Sequence, residues 1–235
     1  MTRIKAGIHH LFNKLVVNPF LYFQKLFFGP PLIHDLIIKE SKVSSASFVL
    51  QHLDKALLFK RKKDLMVFIA NNYNLQGCGF EFGVYKGENI RYLSKLFKTL
   101  EFYGFDSFIG LKENWPGTSF AKGSFTVKNR MPKVSSKTTL VKGFFDESLP
   151  NFLENFETKI SLIYFDADTY ESTLYCLTQL KEKLDVGTIL VFDEYLGYPS
   201  WQNGEFKAFS EFCQVSNTKF KYIGFSENQC AVELI

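Results

Sequence analysis

Nowhere in these 235 residues does an apolar run reach the roughly 18 to 20 positions that a membrane-crossing helix needs, so none is expected. The N-terminus also lacks a clean signal peptide, because its apolar stretches are short and broken by Asn13, Lys14, Asn18 and Pro19. Cysteine is scarce. Cys78, Cys176, Cys213 and Cys230 are scattered without a C-x-x-C pair, which argues against a disulfide framework or a zinc site. They read as buried free thiols in a reducing compartment, and a cytoplasmic location is the expectation. A net charge of +4 with no concentrated basic stripe argues against nucleic acid as a partner. The glycine pattern G-x-G-x-x-G of a dinucleotide turn is missing as well.

What is present begins with aromatics: they make up 17% of the chain, with 27 Phe. The length suits one domain with a large core and an N-terminal extension. Residues 1–45 read as that extension, with residues 46–235 as the domain. Leu11–Val17 and Phe20–Phe28 are apolar with interspersed Lys, and Gly29-Pro30-Pro31 stops the second stretch. A helical arm packing on the core or on a second copy of the chain is favoured over a membrane-surface helix, because the basic face is thin. Lys60-Arg61-Lys62-Lys63 lies in a helical stretch and reads as a solvated face.

From Gly77 the pattern alternates. Strands are expected at Gly79–Phe82, Phe102–Phe105, Thr139–Val141, Ser161–Phe165 and Thr188–Phe192. Helices are expected at Asn89–Phe97, Glu147–Asn155, Tyr170–Leu184 and Gly204–Gln214. The end is a hairpin, Phe220–Phe225 and Gln229–Ile235. The expectation is an α/β fold: a Rossmann-like, doubly wound, mostly parallel seven-stranded sheet with a C-terminal antiparallel hairpin. Residues 107–138 carry little periodicity and read as a lid or a solvent-exposed excursion.

Three constellations carry chemistry. Glu81-Phe82-Gly83-Val84-Tyr85-Lys86-Gly87 is a strand end, a glycine turn and a helix start, which brings backbone N–H groups close to a partly anionic ligand. An acidic residue in place of a third glycine leans towards an adenosyl-methionine loop. Asp106 and Ser107 end the next strand, where a carboxylate can accept both ribose hydroxyls, although a turn cap would use the same residue. Gly143 and Phe144 follow the third strand and could flank an adenine ring. The second constellation is acidic. Asp166 ends the fourth strand and Asp193-Glu194 ends the fifth, so all three reach one rim. Grouped oxygen ligands suit Mg²⁺, and without metal Asp166 could act as a general base. Asp168 or Thr169 could simply cap the helix that follows. In the third constellation, Tyr198, Trp201 and Lys207 lie in a loop beside that rim and suit a substrate wall, with core packing of Trp201 and Tyr198 as the competing reading.

From about Phe80 to the C-terminus the chain resembles class I methyltransferases of the macrocin O-methyltransferase (TylF-like) family. The resemblance rests on Glu81–Gly87, Gly104-Phe-Asp-Ser-Phe-Ile-Gly-Leu111, Val141–Pro150, Asp166-Ala-Asp-Thr-Tyr-Glu-Ser-Thr173, Phe192–Tyr195, Trp201, Glu205 and Lys207–Phe209. It implies S-adenosylmethionine as methyl donor and a hydroxylated small-molecule acceptor, often on a sugar or natural-product scaffold. It also implies a divalent metal on Asp166, Asp193 and Glu194, with Asp166 as ligand and base. The family's antibiotic-tailoring members show two aspartates where this chain has Asp193-Glu194. A nicotinamide-dependent Rossmann oxidoreductase and a non-catalytic cofactor-binding module remain as alternatives.

Overall fold

The computed structural model describes residues 13–17, 19, 32–53 and 55–235. The arm segment Phe20–Phe28 lies outside the described residues, as do Leu11 and Phe12; Asn13–Val17 forms one π-helical turn. By its internal contacts the chain divides into Met1–Glu40 and Ser41–Ile235. Among the described residues no helix is long and apolar enough to cross a membrane.

The elements run α1 (Ile33–His52), β1 (Leu57–Leu58), α2 (Lys62–Asn72), β2 (Cys78–Phe82), α3 (Glu88–Leu96), β3 (Glu101–Asp106), β4 (Thr138–Lys142), α4 (Phe145–Leu153), β5 (Ile160–Phe165), α5 (Tyr170–Leu180), β6 (Ile189–Phe192), α6 (Glu205–Ser216), β7 (Phe220–Phe225) and β8 (Cys230–Leu234). The strands form one sheet in the order β1-β7-β8-β6-β5-β2-β3-β4. All pairings are parallel except those of β8 with β6 and β7. The sheet has eight strands, not the seven expected. The additional one, β1, is two exposed leucines beside Gly224 and Phe225, too short to leave a periodic signature.

Because side chains alternate across a strand, each central strand feeds two cores. Phe80, Phe82, Phe105, Phe165 and Phe192 face the cluster that holds Leu149, Leu177 and Phe209 from α4, α5 and α6. Phe102, Leu162, Tyr164 and Val191 face Leu65, Ile69, Ile90 and Leu93 from α2 and α3. Near-complete burial of each Phe contributes about 1.5–3 kcal/mol.

One feature of the first core sets the site. Phe105, Phe82, Phe165 and Phe192 are the closing or near-closing residues of four adjacent strands, and their rings stack in sequence. Centroids are 5.0, 5.5 and 5.1 Å apart, with interplanar angles of 20°, 16° and 9°. The next residues are Asp106, Gly83, Asp166 and Asp193. Main-chain bonds tie them at one level: Gly83 N donates to Phe105 O (2.9 Å), Asp166 N to Phe82 O (2.8 Å) and Asp193 N to Phe165 O (2.9 Å).

Candidate active site

The chain winds outward from β2 through β3 to β4 on one side and from β5 to β6 on the other, so the switch point lies between β2 and β5. Ligands of open α/β sheets bind beyond the strand ends at such a point. A cavity of about 410 Å³ opens there. Six of the expected site residues line it: Gly83, Tyr85, Asp106, Ser107, Phe144 and Asp166.

The glycine turn is held by Asp106. Its Oδ2 accepts from Val84 N (2.8 Å) and Tyr85 N (2.7 Å), and its Oδ1 accepts from Phe108 N (2.6 Å). The carboxylate is thus both a turn cap and a cavity wall, and Oδ1 keeps one lone pair free of these bonds. Gly87, at φ 75°, caps α3. Gly87 and Gly143 are turn residues outside the cavity lining, and Phe82 is a core ring of the stack. Glu81 is wholly buried on the other face of β2. Neither of its oxygens has a hydrogen-bond partner within ordinary geometry among the described residues, nor does Asn89 Nδ2. Burial first, then the charge of Asp166, push the Glu81 carboxyl well above the usual range; nearby Asn89 and Lys62 oppose the rise.

At the acidic rim, oxygens of Asp166, Asp168 and Glu194 lie within 4.8 Å of one another. Asp168 enters this trio because Thr169, not Asp168, caps α5, accepting from Ser172 N at 3.3 Å. Asp168 sits in the left-handed region at φ 65° and lines the cavity. Asp193 is placed differently from the expectation: its Oδ1 accepts from Lys62 Nζ at 3.0 Å and from the Tyr164 hydroxyl, and it is outside the trio. Lys62 comes from the basic run read as a solvated face. Glu205 is a further buried acid: its Oε2 accepts from Glu194 N at 3.0 Å.

Crowded carboxylates in a poorly hydrated place favour their neutral forms. Burial, then the charges of Asp193 and Asp168, hold the Asp166 carboxyl well above its ordinary range. Burial, then Asp193 and Asp106, push Asp168 up to about 7. Glu194 is raised by burial, then by Asp193 and Asp166. Glu205 is raised by burial against the lowering pull of the Glu194 N–H. Glu194 Oε2 and Glu205 Oε1 are buried with no hydrogen-bond partner among the described residues. Three converging carboxylates and two such oxygens are a donor set that fits a hard divalent cation.

The excursion between β3 and β4 supplies much of the far wall through Gly110, Leu111, Lys112, Glu113 and Phe125. Lys112 Nζ pairs with Asp146 and lies 5.4 Å from the Phe144 ring centroid. Glu113 Oε1 accepts from Thr169 Oγ1 at 2.6 Å, which ties the excursion to the start of α5. Aperiodic sequence carried no signal for these residues beyond the length of the connection.

Tyr198, Trp201 and Lys207 do not line the cavity. Trp201 is 2% exposed, packs on Phe48 and Phe206, and donates its Nε1 to Ser44 Oγ at 3.1 Å. Tyr198 is buried against Trp115. Lys207 Nζ lies 4.3 Å from the Tyr170 ring centroid, on α6. Trp201→Ala is therefore expected to cost about 3–5 kcal/mol of stability in a denaturant titration. The milder Trp201→Phe should leave the Michaelis constant for acceptor unchanged; a change there at wild-type stability would return Trp201 to the substrate wall.

Residues 80–195 match the family described as methyltransferase domain. None of the curated proteins matches the chain in sequence. Among solved structures, the calicheamicin methyltransferase CalS11 is similar with a TM-score of 0.60 and 21% identity, over 87% of this chain and 94% of that one. The O-methyltransferase NovP follows with 0.54 and 18%, over 73% and 78%. An apo structure of CalS11, described as a TDP-rhamnose 3'-O-methyltransferase, gives 0.51 and 21%, over 87% and 96%. These likenesses carry the fold, a Rossmann-like sheet closed by the β7–β8 hairpin as in methyltransferases, and the family match over residues 80–195 makes that stretch similar to a methyltransferase domain.

Proposed function

We propose that this chain transfers the methyl group of S-adenosylmethionine to a hydroxyl oxygen of a small acceptor with a sugar or related natural-product scaffold, with a divalent cation at the acidic rim. One observation carries the reading: Gly83 and Asp166 meet at the switch point, so the glycine turn and two members of the acidic trio, Asp166 and Asp168, line the same cavity. The acceptor class rests on the likeness to CalS11 and NovP.

When bound, the cofactor supplies an electrophilic methyl group, and the cation lowers the pKa of the acceptor hydroxyl. Asp166, Asp168 and Glu194 would hold the cation, with Asp193 adjoining. Asp106 fixes the turn and offers its remaining lone pair to a ribose hydroxyl. Tyr85 and Phe144 are cavity walls for the flat part of the ligand. Asp166, of the acidic trio, would take the proton of the acceptor oxygen. Asp166 is the member next to the turn. The excursion wall, pinned by Lys112–Asp146 and Glu113–Thr169, limits water around the reacting atoms. Methyl transfer then needs mainly orientation of the two reactants.

The test is calorimetric titration with S-adenosylhomocysteine, in Mg²⁺ and in EDTA, beside a titration with NAD. Saturable binding of S-adenosylhomocysteine and none of NAD is expected. Absence of the first ends the reading, and binding of NAD alone moves the chain to the oxidoreductases.

A further inference from the structure

Five carboxyl groups crowd the rim, and among the described residues one ammonium is hydrogen-bonded to them. Lys62 opens α2, upstream of the matched residues 80–195. Its Nζ is 3.0 Å from Asp193 Oδ1 and 5.7 Å from the Tyr164 ring centroid. The hydroxyl of Tyr164, a side chain buried on the α2 face of the sheet, donates to that same oxygen. A carboxylate oxygen has two lone-pair sites, and here both are taken. The main chain around Asp193 is fixed as well: its N donates to Phe165 O at 2.9 Å, and its carbonyl accepts from Gln229 Nε2 at 3.2 Å.

Resting on the reading of a metal-assisted methyltransferase, we propose that Lys62 and Tyr164 are positioning residues that fix how Asp193 adjoins the cation site. They take up Oδ1, so of the two Asp193 oxygens Oδ2 is the one they leave to face the Asp166, Asp168 and Glu194 trio. A carboxylate whose one oxygen is held by two hydrogen bonds cannot rotate freely, so Asp193 would keep one orientation beside the residues that would hold the cation. Outer donors of this kind tune a metal site without touching the metal. The helix before the matched domain thereby belongs to the centre: α2 delivers the ammonium, and β5 delivers both the hydroxyl and, two residues on, Asp166.

A role in stability alone would change melting and leave metal binding untouched, so Mn²⁺ affinity is the readout. It is measured by electron paramagnetic resonance on the full chain saturated with S-adenosylhomocysteine. Tyr164→Phe removes the donor without altering charge or packing volume much, and should weaken Mn²⁺ binding about tenfold. Lys62→Met should do likewise, and Lys62→Arg, which can donate to the same oxygen, should stay within about threefold of wild type. Neither side chain lines the cavity, so affinity for S-adenosylhomocysteine should not change. Unaltered Mn²⁺ affinity in Tyr164→Phe would overturn the proposal. Tighter binding in Lys62→Met would overturn it too, since Lys62 would then only repel the cation. A wild-type protein that binds S-adenosylhomocysteine but no Mn²⁺ would remove the metal reading and this inference with it, leaving the cofactor site intact.

Discussion

Gly83→Ala should abolish binding of S-adenosylhomocysteine and lower stability by at least about 3 kcal/mol. An alanine Cβ at this position would stand 1.8 Å from the carbonyl oxygen of Asp166, with φ at +91°. The obstacle is backbone, and it cannot step aside. Asp166 N is bonded to Phe82 O at 2.8 Å, so moving the carbonyl breaks the β2–β5 pairing at the switch point. Gly187→Ala is the control. It has φ +88° and open space around its would-be Cβ, so it reports conformational strain without the clash. Thermal melting of the two variants beside wild type decides the matter: equal losses would mean that close approach at Gly83 is unimportant.

The second large effect is on chemistry. Asp166→Asn keeps the shape of the side chain but removes a charge and a proton acceptor. Turnover should fall about 10²–10⁴-fold, the range for loss of a general base. Affinity for S-adenosylhomocysteine should stay within a few-fold, because the remaining cavity walls are unaltered. The metal-free protein should melt higher than wild type. Burial and the charges of Asp193 and Asp168 disfavour ionised Asp166 in the folded chain, and the amide relieves that repulsion. Lost activity with gained stability separates a functional carboxylate from a structural one. Wild-type turnover in Asp166→Asn would sink the assignment.

Much of this architecture was legible because local pattern and tertiary role agree in the central strands. Cys78–Phe82, Glu101–Asp106, Ile160–Phe165 and Ile189–Phe192 are short apolar runs that end in a glycine or an acid, and they fold within a residue or two of their expected bounds. The glycine turn, Asp106 and Asp166 were legible for the same reason. Three things were hidden. Lys62 sits in a run of four cations, and nothing in the run says that one of them turns inward. Asp168 and Thr169 are both good caps, and which of them caps depends on the left-handed backbone at Asp168. Trp201 and Tyr198 lie in a loop rich in glycine and polar residues, but the loop folds back on α1 at Ser44 and Phe48 and buries them. Loop aromatics show their destination only when their partner element, distant in sequence, is known.

The phenylalanine stack has a metric consequence. Neighbouring strands lie about 4.8 Å apart, and rings interlocked across four of them resist a slip of any one strand along its length. The residues that follow the rings are therefore graduations on a rigid scale. Asp106 and Asp166, separated by the strand that carries Gly83, stand two divisions apart, roughly 10 Å. Asp193 adds one division more. A molecule read by this scale must fit its length as well as its chemistry, and altering one ring would recalibrate the whole row.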